Sequence, residues 1–98
     1  MLDGTYSIQM RTPMGPKDGK LLLRTQGNLL SGVLEVLGNA NPFTNGQADG
    51  NRCRFSSQFK TALGSVDYEA EGQVDGDTLT AVSRTAKGDL KITGTRIR

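Results

Sequence analysis

Polar and apolar residues alternate along most of this chain with the two-residue period of a β-strand. In the first segment Tyr6, Ile8 and Met10 share one face, with Thr5, Ser7, Gln9 and Arg11 on the other. Cys53, Phe55, Ser57 and Phe59 are set against Arg52, Arg54, Ser56, Gln58 and Lys60. Val66, Tyr68, Ala70 and Val74 are set against Ser65, Asp67, Glu69, Glu71 and Gln73. Leu79, Ala81 and Ser83, then Leu90, Ile92 and Gly94, carry the pattern to the end. The pattern predicts strands throughout and no helix.

Glycine divides the alternation into lengths. Gly15, Gly27, Gly38, Gly50, Gly64, Gly76 and Gly88 stand 12, 11, 12, 14, 12 and 12 residues apart. Glycine reaches the positive φ that tight turns demand, so this beat predicts seven turns and eight strands of ordinary length. Two turn chemistries alternate. One is Gln26-Gly27-Asn28, Asp49-Gly50-Asn51 and Asp75-Gly76-Asp77, which suits two-residue hairpins of the primed type. The other is Thr-x-x-Gly, at Thr12, Thr61 and Thr85, with Glu35-Val36-Leu37-Gly38 as its degenerate member. Strands joined at alternate ends make a meander.

The turns then fix expected partners. Closing strands five and six between Thr61 and Gly64 pairs Phe59 with Val66, Ser57 with Tyr68, Phe55 with Ala70 and Cys53 with Gly72. Large faces small at the last three, as interdigitation requires. Arg54 falls opposite Glu71 on the outside. Pairing through Asp75-Gly76 sets Asp67 opposite Arg84, Tyr68 opposite Ser83 and Gly72 opposite Leu79. Pairing through Gln26-Gly27 sets Leu23 opposite Leu30. Strand four breaks the pattern, because Gly46 and Thr44 inside would turn Phe43 outward. A bulge near Asn45-Gly46 restores Phe43 to the core.

Eight antiparallel strands with one apolar face close most simply into an up-and-down meander barrel, which removes both open edges. An opened barrel or two-layer sandwich is the alternative. The sequences Thr12-Pro13-Met14-Gly15-Pro16, Gly19-Lys20-Leu21, Gly27-Asn28-x-Leu30-Ser31-Gly32 and Val74-Asp75-Gly76-Asp77-x-Leu79 sit at turn and core positions. In these the chain resembles a group of small bacterial β-barrel proteins of calycin-like, or lipocalin-type, architecture. The resemblance implies an eight-stranded meander barrel and brings no catalytic motif with it.

Composition narrows the chemistry. At 98 residues, 35% apolar and 5% aromatic, residues 1–98 are expected to form one small domain with an aliphatic core. No histidine is present, which removes histidine acid–base chemistry and histidine metal sites. The single Cys53 offers neither an internal disulfide nor a zinc cluster, and with no basic partner it reads as a small buried hydrophobe. The carboxylates fall in turns or on outer faces, away from any cleft where general acid–base catalysis would need one. Asp75-Gly76-Asp77 lacks the further ligands of a calcium loop. The chain is therefore expected not to be an enzyme and to need no cofactor or metal.

Nor is there a case for nucleic acid or membrane. The net charge is only +2, and Arg52, Arg54 and Lys60 face an acidic strand. No apolar run approaches membrane-helix length, and residues 1–5 lack a basic, apolar leader, so a cytoplasmic location is expected.

Two places remain where function can reside. The interior mixes apolar walls with small residues, which fits either a filled core or a small apolar ligand held by a few polar groups. Tyr6, Tyr68, Ser57, Ser83 and Arg96 are the candidate ligand-binding residues, Arg96 suiting a ligand carboxylate. The other place is the outer face of strands two and three, where Leu22, Leu29, Val33 and Leu37 gather. The corresponding repeat positions hold Thr78 and Arg52, so Leu29 is an anomaly within the chain's own pattern. A contiguous apolar group of this kind marks a contact surface, either for self-association (a dimer first) or for a partner protein.

Overall fold

A computed structural model describes the chain apart from residues 1, 14, 37, 62, 63 and 87. The alternation resolves into eight strands: β1 (Gly4–Thr12), β2 (Gly15–Gln26), β3 (Leu29–Val36), β4 (Asn39–Asp49), β5 (Arg52–Thr61), β6 (Gly64–Asp75), β7 (Thr78–Thr85) and β8 (Gly88–Arg96). Each pairs antiparallel with the next, and β8 returns to β1 from Tyr6↔Arg96 to Met10↔Ile92, closing the barrel. The opened barrel and the sandwich are excluded.

Turns of the two chemistries segregate to opposite ends. At the upper end the Thr12, Thr61 and Thr85 hydroxyls donate to the carbonyls of Gly15, Gly64 and Gly88 at 2.7–2.8 Å, tying together the strand ends that face each other there. At the lower end Gly27, Gly50 and Gly76 take φ of 61–64°, the left-handed region glycine allows. These lower turns centre on Gly-Asn or Gly-Asp, with Gln26↔Leu29, Asp49↔Arg52 and Asp75↔Thr78 as the closing pairs.

That centring corrects the expected partners. The hairpins were expected to turn through Gln26-Gly27, Asp49-Gly50 and Asp75-Gly76. Glycine instead occupies the first central position, where positive φ is required, and the partner of each residue moves by two. Glu69, not Asp67, faces Arg84; Ala70, not Tyr68, faces Ser83; Ala81, not Leu79, faces Gly72. Gly32, not Leu30, faces Leu23. A two-residue shift keeps every side chain on its face, so the core is unaffected. The β5–β6 partners follow the expected register throughout, and Arg54 meets Glu71 at 3.0 Å.

The bulge in β4 is present. Leu30 pairs with Gly46 and Gly32 with Phe43, so Thr44 and Asn45 together oppose Ser31. Phe43 is thereby buried and stacks on Phe55 with ring centroids 4.2 Å apart and planes 13° from parallel. The core runs the length of the barrel, from Leu2 and Tyr6 below to Phe59 and Leu90 above.

Candidate functional site

The five predicted ligand-binding residues divide between the two ends. Tyr6 and Arg96 pair across the β1–β8 closure at the lower end. The Arg96 guanidinium lies over the Tyr6 ring, 5.3 Å from its centroid, and donates to the Tyr6 hydroxyl at 2.8 Å. It also donates to the Asp77 carboxylate at 3.0 Å and to the Gly76 carbonyl. The Tyr6 hydroxyl in turn donates to the Leu2 carbonyl at 2.8 Å, which holds Leu2 as a plug in the barrel floor. Beside it, the Thr25 hydroxyl and amide donate to Asp3. The Thr25 hydroxyl holds the Asp3 carboxyl below its ordinary value. Linked in this way, these groups form a clasp across the barrel floor.

Tyr68, Ser57 and Ser83 lie in the upper half. Ser57 is the cross-strand neighbour of Tyr68, and Ser83 stands beside Ala70, one inward position below Tyr68 on β6. The Tyr68 ring meets Phe55 edge-on at 6.0 Å and Phe59 at 5.8 Å, so three aromatics line one wall. Its hydroxyl is buried and has no hydrogen-bond partner. Burial also pushes the phenol well above its ordinary pKa.

Nothing in the sequence reading singled out Asn41. The backbone ladder between β4 and β5 covers only Gln47↔Arg54, Ala48↔Cys53 and Asp49↔Arg52. Above it Pro42 lacks an N–H to continue the pairing. Side chains close this seam instead. The buried Asn41 amide donates to the carbonyls of Leu34 and Asn39, and its oxygen accepts from the Lys60 amide at 3.2 Å. The Ser57 hydroxyl donates to the Pro42 carbonyl at 3.3 Å. The seam therefore runs alongside Ser57, whose cross-strand neighbour is Tyr68. A polar residue sharing the inward parity of Phe43 was the available signal in the sequence.

Cys53 is buried, as the alternation placed it, and loss of solvation pushes its thiol up to about 11. Among the described residues, no three His, Cys, Asp or Glu side chains gather as a metal site would require. None of them forms a helix long and apolar enough to cross a membrane.

On the outer face, Leu22 and Val33 are direct partners, and Val33 continues to Pro42 of β4. Leu22 and Val33 are half-buried, while Leu29 is 65% exposed and pairs with Gln26 and Gln47 four residues along β3. The predicted apolar face is thus a short cross-strand row with Leu29 apart from it. Leu37 lies outside the described residues.

Fold and site define a closed, eight-stranded, up-and-down barrel around a buried apolar core, in which the Tyr68 hydroxyl is buried without a hydrogen-bond partner among the described residues. No family model matches the chain, and no curated protein matches it. Among solved structures it is similar to a redesigned β barrel, mFAP1, determined bound to DFHBI. That likeness has a TM-score of 0.69 at 22% sequence identity and covers 99% of this chain and 94% of the other. It agrees with the barrel architecture that the turn and core residues implied.

Proposed function

We propose that this barrel is a non-catalytic binding module for a small, largely apolar ligand carrying a hydrogen-bond acceptor. The ligand sits in the upper half against Phe55, Phe59 and Tyr68. One observation carries the reading: the Tyr68 hydroxyl is buried inside an aromatic wall with its proton committed to nothing. Buried polar groups are nearly always satisfied, and an exception inside a barrel marks a place where a partner belongs. Ser57 and Ser83 supply further hydroxyls nearby. The mFAP1 barrel, bound to DFHBI, lends support by analogy of architecture. Side chains already occupy this half, so binding displaces the partly buried Val66 at the rim or opens the β4–β5 seam.

The test is a thermal-shift titration with DFHBI, fatty acids, bile acids and aromatic acids, repeated on Tyr68→Phe. We expect saturable stabilisation by at least one of them and an affinity about tenfold lower, or about 1.4 kcal/mol, in the variant. No stabilisation by any compound, or equal affinity in Tyr68→Phe, rejects the site. Arg96 has no part in this reading, because its terminal nitrogens are engaged by Tyr6 and Asp77 in the lower clasp, at the other end of the barrel.

A second reading rests on two apolar features of one face, the exposed Leu29 and the separate Leu22–Val33–Pro42 row: self-association, as a dimer, through the outer face of β2 and β3. Replacing Leu22 and Leu29 together with threonine should then yield a folded monomer in sedimentation. An unchanged mass would remove this reading.

A further inference from the structure

Backbone pairing is uneven around the barrel. Six of the eight strand interfaces run for seven to ten residue pairs. The closure of β8 on β1 has five, and β4 with β5, on the opposite side, has three. Both short ladders lie toward the floor. Among the described residues, pairing stops above Gln47↔Arg54 in one and above Met10↔Ile92 in the other. The barrel is therefore two four-stranded sheets, β1 to β4 and β5 to β8, whose mutual pairing is confined to the lower part.

Further ties hold the floor. The Ala48, Val74 and Arg96 amides donate to the carbonyls of Asn28, Asn51 and Asp77 at 2.8–2.9 Å, binding each strand to an adjoining turn. The Arg96 side chain adds its bonds to Tyr6 and Asp77. The upper β4–β5 seam is held differently. Asn41 accepts from the Lys60 amide at 3.2 Å, and the Ser57 hydroxyl donates to the Pro42 carbonyl at 3.3 Å, both long for their kind. Behind them Phe43 of one sheet stacks on Phe55 of the other. Tyr68, with its unpartnered hydroxyl, is the cross-strand neighbour of Ser57.

We infer that the two sheets are jaws hinged at the floor, and that the upper β4–β5 seam, latched by Asn41, is the way into the interior. As a route for a ligand this rests on the Tyr68 site proposed above, and it favours the seam over the Val66 rim. Local openings start where backbone bonding is sparsest. Parting this seam breaks two side-chain bonds and one ring stack, and every long ladder stays intact.

Native-state thiol labelling tests the opening without any ligand. Ser83→Cys, made together with Cys53→Ala, puts a near-isosteric thiol at a buried position of the upper interior, beside Ala70. In low urea a neutral methanethiosulfonate should label it at a rate almost independent of urea, because parting the seam exposes little surface. The native Cys53 lies on the lower ladder opposite Ala48 and should be labelled through global unfolding, at a rate that climbs steeply with urea. Adding Asn41→Ala should speed labelling of Ser83→Cys about tenfold and of Cys53 far less. Ala70→Cys repeats the measurement should Ser83→Cys fail to fold. A urea dependence as steep as that of Cys53, or equal acceleration of both thiols by Asn41→Ala, would overturn the hinged opening. Any compound that stabilises the protein should also associate and dissociate faster in Asn41→Ala, and unchanged rates would overturn the seam as its route. Stabilisation by no compound removes the ligand reading and leaves the opening to stand or fall on the thiol result.

Discussion

Burying a hydroxyl without a partner costs about 1–3 kcal/mol, and Tyr68 carries that penalty while its ring packs well. Tyr68→Phe keeps the ring and removes the oxygen. We expect it to raise the urea midpoint, by about 0.5–1 kcal/mol in stability, at an unchanged denaturant slope. A lower midpoint would mean the hydroxyl is satisfied in solution. Cys53 makes a second residue-level prediction, with a defined sign. Its folded thiol ionises near 11 against an ordinary 9.0, so folded protein holds a proton that the unfolded chain gives up first. The contribution is full below pH 9 and is lost between pH 9 and 11, on the order of 2 kcal/mol. Stability measured against pH should therefore decline from about 9 upward. In Cys53→Ala the decline should begin nearer 10, the ordinary phenol value above which Tyr68 contributes in the same direction.

At the scale of strands, the bulge at Thr44 and Asn45 sets which face of β4 meets the core. Phe43→Ala keeps the bulge and removes the ring that it turns inward. Loss of the Phe43–Phe55 stack should cost about 3–5 kcal/mol, read as a fall in midpoint and a weaker near-ultraviolet dichroism signal. The same strand shows what a sequence can and cannot disclose. Inward positions such as Tyr6, Phe55, Tyr68 and Leu79 were legible because alternation depends only on parity. Phe43 was legible because a glycine next to an out-of-phase aromatic has one economical remedy. The partners across Gly27, Gly50 and Gly76 were not, because Asp-Gly-Asp allows the loop to centre on either dipeptide and both centrings bury the same faces. Of the upper site, Ser57, Tyr68 and Ser83 were named in advance. Asn41 was missed, since its task arises only where the β4–β5 ladder stops, and no local pattern announces a ladder's length.

For the molecule as a whole, closure joins the two most distant strands. The β1–β8 seam pairs Tyr6 with Arg96, and the Thr5 carbonyl accepts from the Ile97 amide at 2.8 Å. Contacts this far apart in sequence form late and slowly, so refolding should fall in the millisecond-to-second range of β-barrels. Weakening the lower clasp with Arg96→Gln should open the seam before anything else. Hydrogen exchange should then accelerate at residues 6–10 and 92–96, with the β5–β6 hairpin as protected as before. Acceleration spread evenly over all eight strands would mean the clasp stabilises the barrel globally rather than at its seam. The two ends also differ optically. The chain has no tryptophan and two tyrosines, one in the floor clasp and one in the upper aromatic wall. Its near-ultraviolet emission therefore comes from two lamps at opposite ends. Tyr6→Phe and Tyr68→Phe each extinguish one, so events at the floor and at the upper wall can be followed separately without attaching a label.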